Sequence, residues 1–512
     1  MTECWENSFV YRIWVVLLRW LSDSGVARFC HQVERWLLRC IKGSAVCRWL
    51  ARPGRLPAWY QESILCRAVD AVANVLPALL RRSGRFCRAW EGSWIARFAV
   101  SCGNHVPALL SWFFLLVMVC PQNMWNNAYS LAIALLGVLL CYAASVSRPA
   151  LRLRVREYNL YLLVFFAMLL FGVVNSAEFV TSLRYLTYYA SAIVLALLVV
   201  SSVETVGQFK RLVAFGVAGI PVAAGCGLYQ RFVLDIQNSE KAVDMAFNAD
   251  LPGRVYAFFE NSNTFAQVLV LMIGLALGLL VSSRTLWGKL LSLFALGCGL
   301  VAIVMTYSRA SWIGLVVAVF LFVLLVERRL IPVLIVGAFA LLPLLPASIF
   351  NRLLSIFNLA DSSTSTRFMI YSSGYKVWSE SPFFGVGLGT ELAAKAAHTS
   401  DWFTDPYWFP HYHNIYIQLA VELGLVGCVA CTGGFITSCK ESLHALFGAK
   451  RDREVYGLTV GCLSGLVGVM VCGLADYLWH YPRVMVIFWL VLGLMLCGAK
   501  LARQGKQEVH SL

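Results

Sequence analysis

What most constrains this chain is the recurrence of long apolar runs with hardly a charge in them. From Val106 to the C-terminus, stretches close to the roughly 20 residues that cross a bilayer follow one another with short breaks. In a hydrocarbon layer the backbone must satisfy its own hydrogen bonds, so runs of this length fold as helices. Apolar length places about twelve spans, at 106–120, 127–146, 158–175, 179–203, 211–229, 264–282, 289–306, 310–326, 330–349, 412–438, 455–475 and 483–499. The expected fold class is all-α, a polytopic integral membrane protein. Composition agrees: 59% of the 512 residues are hydrophobic and 13% charged, against about 45–50% and about 25% in an ordinary soluble domain.

The formal charge of +15 is read as topology, with no nucleic-acid partner, because Lys and Arg collect in loops that stay cytoplasmic. "SRPALRLRVRE" (147–157), "QFKR" (208–211), "RTLWGK" (284–289), "ERR" (327–329), "KESLHALFGAKRDR" (440–453) and "KLARQGK" (500–506) all fall on one side when the spans alternate. That side is expected to be cytoplasmic, with both termini and the tail 501–512. Of the 17 cysteines, Cys141, Cys226, Cys298 and Cys472 sit inside apolar runs as small hydrophobes. Cys428 and Cys431 of "CVAC" lack the second pair that a zinc site needs. Cys30, His31, Cys40, Cys47, Cys66 and Cys87 lack ligand spacing, so no metal and no cofactor is expected. Arg12 and Arg19 interrupt the first apolar stretch, and no cleaved signal peptide is expected.

Residues 1–105 differ from the spans 106–500. They hold 15 Lys and Arg, 7 Asp and Glu, and eight of the 17 tryptophans. In "FCHQVERWLLRCIK", Phe29, Val33, Trp36, Leu37, Cys40 and Ile41 recur at helical spacing, with Arg35, Arg39 and Lys42 opposite. Two readings are open: a basic amphipathic region on an anionic membrane surface, or a helical unit packing on itself or the bundle.

The side opposite the basic clusters carries two longer segments, 230–263 and a large loop at 350–411. Within the loop, "STSTRFMIYSSGYKVWSES" reads as a helix capped near Thr364, with Phe368, Tyr371, Tyr375 and Trp378 on one face. Pro382 ends it, and the "GVGLG" that follows is not a nucleotide loop, since it follows a helix. Polar groups collect on this side: Arg254 and Asn263; Arg309 of "TYSRAS"; Arg367 and Trp378; His413 and Asn414 of "HYHN"; and Asp476, His480 and Arg483 of "DYLWHYPR". Arg254 and Arg483 can snorkel to headgroups. Arg309 sits in a short turn between apolar runs, where a charge costs up to about 2.5–3.5 kcal/mol at the bilayer centre. Two or three arginines on one face suit a pyrophosphate. His413 can serve as a proton acceptor near neutral pH or as a helix cap. His480 reads as an aromatic-belt residue. Glu422 lies too deep to meet His413 directly and is expected to pair with a buried Arg.

"TYSRASWIGL", "TRFMIYSSGYKVWSESPFFGVGLGT" and "HYHNIYIQLAVELGLVG", in that order, with "GRVYAFFENSNTFAQVLVL" upstream, resemble the O-antigen ligase and O-antigen polymerase superfamily. The specific likeness covers about residues 250–430 and the many-span pattern about 105–500. The resemblance implies a metal-independent glycosyltransferase in the bacterial inner membrane with its active site facing the periplasm. It would move a glycan from an undecaprenyl-diphosphate carrier to an acceptor hydroxyl, on lipid A-core for a ligase or on a second lipid-linked repeat unit for a polymerase. It implies that Arg309 and Arg367 bind the diphosphate and that His413 is the base, with Arg254, Asn263, Trp378, Asn414 and Glu422 in supporting places. A protein glycosyltransferase of the same superfamily is a third reading. The rival from another class is a transporter of bicarbonate or another small anion, which should show internal repeats and midplane polar residues on broken helices. The sequence shows no repeat, and the conspicuous groups sit at the rim.

Overall fold

The computed structural model describes residues 25–82, 93–148, 151–236, 253–357, 362–399, 409–447 and 452–510. Arg12, Arg19 and Cys87 lie outside them. Four helices come first: α1 Gly25–Gly43, α2 Ala45–Ala51, α3 Arg55–Glu62 and α4 Ile64–Arg82. The apolar part then runs through α5 Trp94–Asn104, α6 Val106–Val119, α7 Tyr129–Ser147, α8 Leu160–Val174, α9 Phe179–Ser202, α10 Val206–Phe232, α11 Ser262–Ser282, α12 Leu286–Met305, α13 Arg309–Val326 and α14 Ile331–Leu341. The large loop folds as α15 Ala347–Leu354, α16 Ser362–Glu380 and α17 Thr390–Thr399. The chain returns through α18 Ile415–Phe447, α19 Arg453–Cys472 and α20 Pro482–His510.

Among the described residues there is no strand, and nine helices are long and apolar enough to cross a membrane, or ten if α5 and α6, bent by 75° at His105, count as one. The fold is an all-α polytopic membrane bundle. Each of the twelve apolar segments is helical, but not every one is a full span. α8 has only 15 residues. Segment 330–349 is no single span: α14 stops at Leu341, a 3-10 turn follows over Leu342–Leu344, and Pro346 stands before α15. Proline removes a donor and clashes with the preceding turn, which breaks the run.

α20 is buried along its spanning length and forms the centre of the bundle. α11 and α19 cross backbone to backbone: a Cβ at Gly274 would stand 2.7 Å from the Gly461 carbonyl oxygen, and one at Gly461 2.6 Å from that of Gly274. Small residues at such crossings replace the hydrophobic driving force that lipid cannot supply. The expected helix in the large loop is α16, already helical at Ser362, so Thr364 lies inside it rather than capping it. Its Ile370 and Val377 pack with Ala393, Ala397, Phe409, Tyr412 and Val421 as a second small core.

α18 is not continuous. Gly424 has φ +68°, and a Cβ there would lie 2.1 Å from the Phe383 carbonyl. Segment 382–389 enters this break: Leu425 N–H donates to Pro382 O at 2.7 Å, Val386 N–H to Val421 O at 2.9 Å and Gly387 N–H to Glu422 O at 3.1 Å. Gly385, at φ +72°, faces Glu422 at 2.5 Å from where its own Cβ would be. The glycines of "GVGLG" thus let a loop enter a helix break, which the hydropathy reading of one uninterrupted span did not anticipate. Glu422 beside a helix break is one trait set aside for a transporter; here the inserted backbone occupies the gap.

Candidate active site

The helices alternate so that the N-terminal ends of α11, α13, α18 and α20 meet the C-terminal ends of α12 and α19, and the polar residues noted in the sequence gather there. Arg254 donates from Nε to Thr306 O at 2.7 Å and from Nη2 to Asn263 Oδ1 at 2.6 Å. Asn261 caps α11 by accepting from Thr264 N–H, which leaves Asn263 to orient Arg254. Arg309, the first residue of α13, donates to Ser355 O at 2.9 Å, while Arg352 of α15 donates from Nε to Tyr307 O at 3.2 Å. The turn and the start of the large loop are stitched together by these two arginines. Burial lowers the Arg254 pKa, and the positive charges of Arg352, Arg367 and Arg309 lower it further, to about 9. Those four guanidiniums therefore share one electrostatic neighbourhood, which a polyanion would relieve.

His413 stands beside this cluster in a left-handed conformation, φ +47°, uncommon outside glycine. The cap of α18 belongs to its neighbour. Asn414 Oδ1 accepts from Tyr416 N–H at 2.9 Å and Ile417 N–H at 3.1 Å, and its Nδ2 donates to Leu474 O at 2.9 Å. The ring of His413 is thereby released from capping, and its Nδ1 lies 3.2 Å from Asp476 Oδ1. Asp476 also accepts from Gln267 Nε2 at 2.9 Å and from Tyr477 N–H at 2.9 Å. Burial works to raise the Asp476 pKa, but the His413 hydrogen bond and charge, with His411 and Arg367 beyond, hold it well below the usual carboxylate range. An ionised acceptor fixes the His413 proton on Nδ1 and leaves the Nε2 lone pair available, the orientation a general base needs. Tyr371, one turn along α16 from Arg367, donates to His413 O at 3.1 Å and binds the large loop to this corner.

His411, His413 and Asp476 offer ligand atoms within 4.8 Å of one another, as a metal ion would require. The hydrogen bonds oppose that use. His411 Nδ1 accepts the His413 backbone N–H at 3.1 Å, so its lone pair is taken and its Nε2 carries the proton. Ligation through Nε2 would need the other tautomer and would break this bond. Burial above all, and the neighbouring His413, hold the His411 pKa well below its ordinary value. His480, 4.8 Å from His411 ring to ring, is lowered to about 4, chiefly by burial. It is an inward-facing residue and not part of an aromatic belt; Trp479, 2% exposed, packs on Tyr189 and Phe488.

The remaining candidates lie apart. Trp378 donates to Pro382 O at 3.0 Å and anchors the end of α16. Glu422, buried in α18, has no arginine partner among its described bonds; its Oε1 accepts from Gln418 Nε2 at 2.7 Å, and Gln418 Oε1 accepts the Tyr412 N–H at 3.0 Å. It therefore supports the chain next to His413 through Gln418. Arg483 does not snorkel. It is fully buried, donates to Val117 O and Phe258 O at 2.8 and 2.7 Å, and lies 4.4 Å over the Phe259 ring. Arg254 is likewise turned inward. In the sequence Asp476 stands on this face without a role and Arg352 looks like one more basic residue of a loop; only the helical register of 347–354 aims it at the turn.

The multi-span helical bundle thus gathers arginines and a histidine–carboxylate pair at one end. The family comparison agrees: residues 294–431, which contain Arg309, Arg352, Arg367 and His413, match the family model described as O-antigen ligase. The match covers the middle of the chain and supports a likeness to the O-antigen ligase and polymerase superfamily of lipopolysaccharide biosynthesis. No curated protein matches it.

Proposed function

We propose that this protein is an O-antigen ligase-like glycosyltransferase of the inner membrane, transferring a glycan from undecaprenyl diphosphate to a hydroxyl of lipid A-core on the periplasmic side. The observation that carries the reading is the His413–Asp476 pair at the edge of a cluster formed by Arg254, Arg309, Arg352 and Arg367. The arginines hold the diphosphate. His413 Nε2 takes the acceptor proton as the hydroxyl oxygen bonds to the anomeric carbon; the bond from that carbon to the diphosphate oxygen breaks, and the lipid diphosphate leaves with the electron pair. Charge growing on the leaving group is met by guanidiniums already in place, and direct displacement inverts the anomeric centre. The reaction is metal-independent in this proposal, supported by the tautomer that His411 must adopt. The periplasmic assignment rests on the basic clusters at the opposite end.

Joining of lipid-linked repeat units uses the same site, and the acceptor decides between the two reactions. The test is transfer by purified protein from a lipid-diphosphate glycan to lipid A-core or to a second lipid-linked unit, with chelator present throughout. Glycosylated lipid A-core supports the ligase, longer lipid-linked chains make the protein a polymerase, and absence of both products overturns the reading. The transporter reading would need a route past α18, but the backbone hydrogen bonds of 382–389 fill its break.

A further inference from the structure

The residues before the spans were open to two readings, a membrane-surface region or a unit packing on the bundle, and the structure shows how one helix can do both. α4 turns its polar edge to the bundle. Asn74 exchanges two hydrogen bonds with the backbone of Leu153, at 2.9 and 3.2 Å, and Asp70 pairs with Arg156 at 3.1 Å. Its other side is apolar and uncovered: Ile64 is 80% exposed and Val72 73%, with Leu65, Val75 and Leu79 also exposed. At about 100° per residue these five side chains fall within one sector of about 100°. α5 repeats the arrangement. Ser147 of α7 donates to Val100 O at 3.2 Å, and a Cβ on Gly103 would meet the Ala143 carbonyl at 2.4 Å, so that side is pressed on the bundle. Trp94, Ile95 and Phe98 face away, Trp94 being 72% exposed.

Two further facts indicate what covers these ridges. α5 leaves the apolar α6 at 75°, so a helix continuing a span turns toward the plane of the membrane. The setting is also cationic: residues 1–105 carry 15 basic against 7 acidic side chains, and Arg152 and Arg154 are exposed in the loop that α4 grips. An apolar ridge with tryptophan, flanked by arginine and tilted to the span, matches the boundary between headgroups and acyl chains of an anionic leaflet. We infer that α4 and α5 lie as a collar in the anionic lipid of the leaflet at the basic end, with Ile64, Val72, Leu79, Trp94 and Phe98 in the acyl boundary.

The test uses the full chain in nanodiscs, labelled with 5-fluorotryptophan. The Trp94 signal is assigned by Trp94→Phe, and a reporter is added on α4 by Val72→Trp. A lipid carrying a nitroxide near the headgroup is compared with a water-soluble gadolinium chelate. In phosphatidylglycerol discs both reporters are expected to lose their signals to the lipid nitroxide and keep them with gadolinium. Loss to gadolinium alone would place the ridges in water, and protection from both would place a protein on them; either result overturns the collar. Replacement of phosphatidylglycerol by phosphatidylcholine should weaken the nitroxide loss. Equal loss in both lipids would overturn the anionic requirement.

Discussion

Both ends of the bundle are rich in cations, but they treat them differently. At the basic end, carboxylates neutralise cations pair by pair: Glu454 takes Lys210 at 3.2 Å and Arg284 at 3.0 Å, Glu204 takes Arg148 at 3.5 Å, and Glu157 takes Arg503. At the other end, Arg254, Arg309 and Arg352 donate to the backbone carbonyls of Thr306, Ser355 and Tyr307. Those carbonyls fix the direction of the three guanidiniums. The first arrangement fixes topology and tolerates loss, whereas the second brings Arg254, Arg309, Arg352 and Arg367 into one electrostatic neighbourhood, which suits a polyanion. The contrast separates cations that serve insertion from cations that serve chemistry.

The strongest test of that contrast is the base. His413→Ala is expected to reduce transfer by about 10²–10⁴-fold, and Asp476→Asn to come close to it, because an amide no longer fixes the proton on Nδ1. Single-turnover rates on reconstituted protein measure both. A cycle of the two variants should show strong non-additivity; full additivity would mean that the pair does not act as a unit. Next in size are the arginines. Arg309→Ala and Arg367→Ala should each cost about 10²–10³-fold in rate, as for a group that meets transition-state charge. Arg352→Ala should fall in the same range and discriminates more, since it asks whether the structure added a member to the clamp or only a tie to Tyr307 O. A normal rate with a lowered melting temperature would leave Arg352 a structural tie.

Much of this candidate site is legible in the sequence, for a physical reason. Charges among apolar spans are costly enough to stand out, so Arg309, Arg367 and His413 were conspicuous once the spans were placed. What was not legible depended on direction. Asp476 is one acid in "DYLWHYPR" until the C-terminal end of α19 brings it to His413, and Arg352 is a loop residue until α15 aims it at Tyr307. Hydropathy likewise reported α18 as a single span, because the backbone that enters at Gly424 is itself apolar and the break costs no polar side chain. Opposite charge points Glu422 to an arginine, but Gln418 meets it instead, a neutral pairing four residues along one helix that charge alone does not reveal.

The smallest effect belongs to the basic end, and it is the control that gives the others meaning. Arg284 is 79% exposed along its side chain and shares Glu454 with Lys210, which also donates to Ser282 O at 3.1 Å. Arg284→Ala leaves that second bridge in place, and an exposed pair is worth about 0–1 kcal/mol. The variant should transfer glycan at the wild-type rate and melt within experimental scatter of it. A loss of rate rivalling Arg367→Ala would show that cations at both ends feel the substrate, and the division between the two ends would no longer separate topology from catalysis.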